Sequence, residues 1–259
     1  MKDMKLMTYN ILDGGEGRLD LISEIIKTEK PDFLVINEAN GFEKDDNQKL
    51  NKFSEKTGLS HFKLSLSGEY DYHTAVFSKY PFKEAREIKP LRNAGIIAVI
   101  ETELGEISIV GAHLSPYRED ARLLEIDLII DQQKQYPNKI LMGDMNSLSD
   151  ADEYNEEIIK GFNNAQLEKF TTDGKFRFNV INKINSLGYM DTAVVFGKQK
   201  IPTVPTKVKQ DEAHLTDMRV DYVFISGSLK DRLKSYSVIN NNLTEKASDH
   251  YPVVIKLEL

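Results

Sequence analysis

Ile140–Ser147 reads ILMGDMNS. Its first residues are apolar, too few for a typical helix, and closed by Gly143, the pattern of a buried strand running into a turn. Asp144 and Asn146 follow at the strand end. There the sheet fixes the backbone while a glycine turn lets a carboxylate and an amide face one ligand, as hard cations and phosphates require. Gly-Asp-x-Asn by itself is also an ordinary turn sequence, so its meaning depends on what the rest of the chain sets beside it.

Immediately upstream, Arg122–Gln135 carries apolar residues at helical spacing, through Leu123, Leu124, Leu128 and Ile130. Between His61 and Val110, the β-rich pieces HFKLSL, HTAVFS, GIIAVIE and EISIVGAHL alternate with the turn-like SGEYDY, KYPFKE and ELGE, which predicts antiparallel hairpins. One of these strands runs out at His113. Nearer the start, MTYNIL is a strand ending at Asn10, before the glycine-rich LDGGEGR. Leu19–Lys27 is an amphipathic helix stopped by Pro31, and FLVIN is a second buried strand ending at Glu38. The polar FEKDDNQKLNKFSEKTG predicts a loop leading into a short helix closed by Gly58, with its charges on a solvated face.

Downstream, Glu153–Tyr189 reads as a helical insert. After TAVVF comes an irregular stretch with two prolines, KQKIPTVPTKVKQDEAHLTDM, then the strand RVDYVFIS containing Asp221. ASDHYPVVIKLEL closes the chain, with Asp249 and His250 just before an edge-type strand. Repeats, low-complexity segments and linker-like stretches are absent from the sequence, so one domain over 1–259 is expected, with two β-rich halves each flanked by helices.

The 259 residues are 40% hydrophobic and 29% charged, ordinary for a globular protein able to bury a sizeable core. A net charge of −7 argues against tight nonspecific binding to long DNA. The lack of cysteine removes disulfides, thiolate metal sites and cysteine nucleophiles together. MKDMKLMTYN lacks the apolar core of a signal peptide, and no apolar run approaches the length of a membrane span, so a cytoplasmic location without membrane partners is expected.

Asn10, Glu38, His113, Asp144 with Asn146, Asp221, and Asp249 with His250 thus all fall at strand ends or in the turns beside them. Each alone has a structural explanation as turn former, cap or satisfied histidine. Their recurrence is the signal, because an ionised group near a core is costly unless paired or bound to metal.

Taken together, MTYNIL, PDFLVINEAN, VGAHLSPY, LMGDMNS, RVDYVFIS and SDHYPV resemble the endonuclease/exonuclease/phosphatase superfamily, which contains DNase I, in the family's order and over essentially the whole chain. The resemblance implies an α/β chain of the α+β type, a DNase I-like four-layer α/β/β/α sandwich of two mixed sheets, with the site at one edge. It also implies phosphoester hydrolysis assisted by Mg²⁺, with Mn²⁺ as a substitute. Glu38 would be the metal ligand, with Asn10 and Asp249 completing the metal's surroundings. Asp144 would orient or deprotonate water, and the amide of Asn146 would hold a phosphate oxygen. His113 and His250 would flank the phosphate, with Asp221 fixing His250. Tyr72 and Arg92 lie where relatives place phosphate contacts, Tyr72 being followed by His73, and His214 is a further candidate for touching substrate.

Asn37 departs from the commoner Gln-Glu pair. GAHLSPY is closer to the phosphodiesterase and phosphatase branches, and the absence of Trp disfavours recognition of an extrahelical abasic site. The expected activity is a phosphodiesterase or nuclease acting as a monomer on a phosphate ester, with short or terminal nucleic acid preferred over long duplex. The alternatives are a phosphatase or phosphodiesterase for a small-molecule or lipid phosphate and, from another class, a non-catalytic binding protein on the same fold. Specificity is expected on the loops Asp13–Arg18, Gly41–Lys49, Ser67–Tyr72 and Lys198–Asp217.

Overall fold

Alternating and fully apolar runs build two six-stranded mixed sheets. The structure is a computed structural model and describes residues 3–69, 71–208, 214 and 216–259. Residues 70, 209–213 and 215, which belong to two of the loops expected to set specificity, lie outside the described residues.

The strands of the first half are β1 (Asp3–Asn10), β2 (Phe33–Asn37), β3 (His61–Ser65), β4 (Thr74–Ser78), β5 (Phe82–Glu87), β6 (Ala94–Thr102) and β7 (Gly105–His113). Those of the second are β8 (Asn138–Asp144), the two-residue pieces β9 (Thr171–Thr172) and β10 (Lys175–Phe176), β11 (Tyr189–Asp191), β12 (Asp221–Ser226), β13 (Leu233–Val238) and β14 (Val253–Glu258). The helices are α1 (Leu19–Glu29), α2 (Lys44–Thr57), α3 (Glu119–Gln133), α4 (Asn164–Phe170), α5 (Asn179–Ser186), α6 (Thr192–Val195) and α7 (Thr244–Ala247).

One sheet runs β13-β14-β1-β2-β4-β3 and the other β11-β12-β8-β7-β6-β5. β1 pairs parallel with β2 across the α1 crossover, and β7 pairs parallel with β8 across α3. The remaining pairings within these sheets are antiparallel. Met4, Leu6, Phe33, Val35 and Val76 of the first sheet meet Ile96, Ile107, Ile109, Ile140, Met142 and Val223 of the second in a shared core. The outer face of the first sheet is covered by α1 and α2, that of the second by α3 and α5. This is the four-layer sandwich implied by the sequence. The sheets approach closely at Gly111, where an added Cβ would meet the Val35 methyls at 2.8 and 2.9 Å.

Several local expectations change. KYPFKE is not simply a turn, because β5 begins inside it at Phe82. The closing strand β14 is not an edge, since Leu233–Val238 forms β13 outside it and β1 pairs on its other side. The sheets do not divide into N- and C-terminal halves either, because β13 and β14 return to β1. α2 is longer than expected and starts through left-handed Asp45, Asp46 and Asn47 before closing on Gly58. The 153–189 insert is only partly helical, with 3-10 turns, α4, the small β9–β10 hairpin, α5 and the start of β11. Among the described residues, no helix is long and apolar enough to cross a membrane.

Candidate active site

Strand parity decides where the polar strand ends point. Alternate residues share a face, so Asp144 follows Ile140 and Met142 of β8 onto the inter-sheet side. The same parity carries inward His113 after Ile107 and Ile109, Asp221 ahead of Val223 and Ile225, Asn10 after Met4 and Leu6, and Asn37 after Phe33 and Val35. Register brings them level, pairing Asp144 with His113 and Asp221 in one sheet and Asn10 with Asn37 in the other. The candidate site is therefore the polar end of the inter-sheet core.

Asp144 is buried at its centre. Its Oδ1 accepts from the Asn146 amide N–H at 2.8 Å, and its Oδ2 accepts from Asn10 Nδ2 at 3.2 Å. His113 Nε2 lies 3.5 Å and His250 Nε2 3.9 Å from that same Oδ2. Burial opposes ionisation of Asp144, but His113, His250, Lys169 and His214 outweigh it and hold its pKa below 3.8. Gly143 lets β8 reach this position, with φ of +139° and a missing Cβ that would otherwise fall 1.9 Å from the Ala112 carbonyl oxygen.

His250 Nδ1 lies 2.7 Å from Asp221 Oδ2. Burial disfavours charge on His250, yet Asp221, Asp249 and Asp144 together raise its pKa well above 6.5. The pKa of Asp221 also rises, from its burial, so the pair holds one proton tightly between them. Asp221 is anchored by its N–H to Thr203 Oγ1 at 3.2 Å, and the Tyr251 N–H donates to the Thr203 carbonyl at 2.7 Å. His113 is the contrasting ring, since burial pulls its pKa down despite the pull of Asp144 and Glu38.

Glu38, half-buried, sits just past β2 in a left-handed conformation with φ of +59°. Asn10 Nδ2 donates to its Oε1 at 3.0 Å and the Asp13 N–H to its Oε2 at 2.8 Å. Asp249 is buried beside Ser248, whose hydroxyl bridges the Asn10 carbonyl at 2.7 Å and Asp249 Oδ1 at 3.3 Å. Asn146 differs from expectation, because its Nδ2 is engaged with the Leu114 carbonyl at 2.8 Å and the buried Oδ1 is the atom without a hydrogen-bond partner. Asn146 therefore presents an acceptor rather than a donor.

Of the secondary candidates, the Tyr72 ring lies 5.6 Å from that of His113, and the His214 ring stands perpendicular to that of His250 at 4.9 Å. Arg92 is not drawn in. Its N–H donates to Glu125 and its exposed guanidinium lies 3.7 Å from Glu69, in a groove lined also by Tyr117, Arg118 and Leu124. His73 is a buried prop, its Nδ1 accepting from the Ser67 N–H at 3.1 Å.

Sequence reasoning missed Lys169, 2% exposed, whose Nζ lies 2.8 Å from His214 Nε2. It also missed how central Asn37 is. The Asn37 side chain donates to the Ala112 carbonyl at 3.1 Å and to Thr74 Oγ1 at 3.2 Å, and accepts from the Asp144 N–H at 3.0 Å. Its place on the inward face of β2 was readable from strand parity, whereas nothing local in the sequence marks Lys169.

The donor set suits a hard divalent cation. Glu38, Asn10, Asp144 and Asp249 offer oxygens, as does the unpartnered Asn146 Oδ1, and no thiolate is available. Ligand atoms of Asp144, Asp221 and His250, and of His214, Asp249 and His250, also lie within 4.8 Å of one another.

A model of the Endonuclease/Exonuclease/phosphatase family matches residues 7–250. No curated protein matches the chain. Among solved structures, an AP endonuclease from Archaeoglobus fulgidus is similar with a TM-score of 0.74 and 18% identity, over 99% of this chain and 100% of that one. An endonuclease/exonuclease/phosphatase family protein from Leptotrichia buccalis follows with a TM-score of 0.69 and 21% identity, over 99% and 100%. TDP2 from D. rerio, solved with a single-strand DNA product, gives 0.69 and 14%, over 100% of both chains. At these identities the structural likeness is one of fold.

Proposed function

Because the chain belongs to the Endonuclease/Exonuclease/phosphatase family, we propose that it is a divalent-metal-assisted phosphoester hydrolase, with a nucleic-acid phosphodiester at a short or terminal substrate as the first candidate. The observation that carries this reading is the ionised Asp144 facing two histidines at 3.5 and 3.9 Å, with Glu38 and Asn10 joined at 3.0 Å beside it.

Asp144 orients a water and takes its proton as the water oxygen bonds to phosphorus. The ester P–O bond opposite it breaks, and the leaving oxygen departs with the electron pair and is then protonated. His113 and His250 donate hydrogen bonds to non-bridging oxygens as charge builds there, and Asp221 keeps His250 protonated and aimed. Glu38, Asn10 and Asp249 would hold Mg²⁺, or Mn²⁺ in its place, which supplies Lewis-acid charge stabilisation when bound. The negative net charge supports a substrate with few phosphates in contact, not a long duplex.

The test is hydrolysis, with Mg²⁺ and with EDTA, of bis-p-nitrophenyl phosphate, a 5′-labelled single strand, nicked and abasic duplexes, a 5′-tyrosyl oligonucleotide and inositol polyphosphates. EDTA-sensitive cleavage of a nucleic acid is expected. Cleavage of the inositol compounds alone would move the substrate to small-molecule esters, and inactivity across the panel with Mg²⁺ bound would favour a binding protein.

A further inference from the structure

Lys169 occupies a place in the site that a surface lysine would not. It lies in the last turn of α4, a helix opened by a capping box between Asn163 and Gln166. Phe170, next in sequence, packs with Leu148, Val204, Met218 and Val220, clamping α4 between the segment after Asn146 and the one before Asp221. Arg122 Nη2 donates to the Lys169 carbonyl at 2.9 Å and fixes the backbone. These contacts hold the side chain almost fully buried, where a lysine is rarely found unless it is paired.

The ammonium can only donate, so at 2.8 Å His214 Nε2 must accept, and His214 keeps its proton on Nδ1. Burial first, and then Lys169, hold the His214 pKa well below 6.5. The Lys169 ammonium is the cation of the couple, and its charge reaches Asp144 and His113.

The surrounding charges give that cation a purpose. Asp144, Asp221, Asp249 and Glu38 converge here, and the Asp221–His250 pair largely cancels itself. A phosphate approaching Asp144 meets a carboxylate and needs fixed positive charge nearby. A doubly charged phosphomonoester gains about twice as much from one more cation as a singly charged diester does, by Coulomb's law.

We propose that Lys169, with His214 against it, holds a non-bridging oxygen of the substrate phosphate, and that this fixed charge shifts the preference of the site toward a terminal phosphomonoester dianion relative to a diester. The inference rests on the phosphoester-hydrolase reading and extends its substrates from the phosphodiester to the terminal phosphomonoester.

The experiment compares Lys169→Met, Lys169→Gln and Lys169→Arg with the wild type, by calorimetric titration of inorganic phosphate and by kcat/KM on p-nitrophenyl phosphate and bis-p-nitrophenyl phosphate at alkaline pH. Removing the charge should weaken phosphate binding about tenfold, as loss of a charge-assisted contact does. It should also lower the monoester-to-diester ratio of kcat/KM, with Lys169→Arg retaining most of both. Unchanged phosphate affinity in the neutral variants, or equal losses on the two esters, overturns the assignment. So does an equal fall in melting temperature and activity for the Arg and neutral variants, which is what a purely structural lysine predicts. Should the wild type hydrolyse neither ester, the hydrolase reading is judged separately on the full substrate panel, and the phosphate titration still decides whether Lys169 binds an anion.

Discussion

Asn37 Oδ1 accepts the Asp144 N–H across the gap between the two sheets at 3.0 Å, while Asn37 Nδ2 reaches the Ala112 carbonyl in the same partner sheet. One buried carboxamide thus fixes both the spacing of the sheets and the backbone that presents Asp144. Asn37→Leu keeps the volume but strands the Asp144 N–H and the Ala112 carbonyl. The expected loss is about 2–4 kcal/mol from unsatisfied buried groups, read as a lower urea midpoint, together with reduced turnover. An unchanged midpoint would show that the bridge contributes nothing.

In the proposed mechanism, Asp144 is the residue on which the chemistry depends most. Asp144→Asn keeps the acceptor toward the Asn146 N–H but removes the charge and the proton sink. Hydrolysis should fall about 10²–10⁴-fold, the range for losing a general base, while the circular dichroism spectrum stays unchanged. Full activity in this variant would remove Asp144 from the role.

The Asp221–His250 pair makes a pH prediction. His250 has a folded pKa well above 6.5 because Asp221, Asp249 and Asp144 outweigh its burial. A raised pKa on a histidine contributes stability that is complete below about 6.5 and is lost as pH rises through the folded value. In Asp221→Asn the folded pKa should drop, so the alkaline limb of kcat should move to lower pH. The His250 ring resonances in an NMR titration should move with it. Identical titration in both proteins would sever the link.

Much of this site was legible because β-strands alternate. MTYN, FLVIN, GAH and LMGD all end on the face that carries their core residues, so the inward direction of Asn10, Asn37, His113 and Asp144 follows from counting by twos. β13 escaped because LKSYSV mixes polar and apolar residues at a sheet edge, and the position of β14 escaped with it. Lys169 was illegible for a different reason. Its helix is short and its partner His214 is 45 positions away, so only tertiary packing through Phe170 delivers it. The orientation of Asn146 turned on a single distant carbonyl, Leu114, which no local pattern announces.

Glu38 supplies the half-buried carboxylate nearest Asn10, held in a left-handed backbone by the Asp13 N–H. Glu38→Gln keeps only one of those two hydrogen bonds, since its amide has a single acceptor oxygen, and it removes the negative charge that attracts a hard cation. Calorimetric titration should show Mg²⁺ and Mn²⁺ binding weakened about tenfold or more, by the loss of an anionic ligand from an oxygen-donor site. EDTA should abolish wild-type hydrolysis and either ion restore it. Equal Mg²⁺ affinity in variant and wild type would exclude Glu38 as a ligand.

Arg219 anchors the segment that leads into Asp221. Its guanidinium lies 2.5 Å from Asp152 Oδ1 and 2.8 Å from Asp191 Oδ2, all three side chains being buried, and it stacks over the Tyr222 ring at 4.3 Å. Asp191 is in turn the N-cap of α6, so the cluster ties the insert to β12. Arg219→Met fills the space but leaves two buried carboxylates without their cation, at a cost of about 3–5 kcal/mol. That cost should depend on pH. Burial already lifts the pKa of Asp152 from 3.8 to about 6, although Arg219 pulls the other way, so removing Arg219 raises it further. A carboxyl with a raised folded pKa penalises the folded state increasingly as pH climbs above the unfolded value, and the penalty is complete only above the folded one. The difference between variant and wild type in urea unfolding should therefore be largest near neutral and alkaline pH and shrink as pH is lowered toward about 5, where Asp152 takes up its proton. A deficit of the same size at both ends of that range would mean that packing against Tyr222, not charge, is what Arg219 contributes.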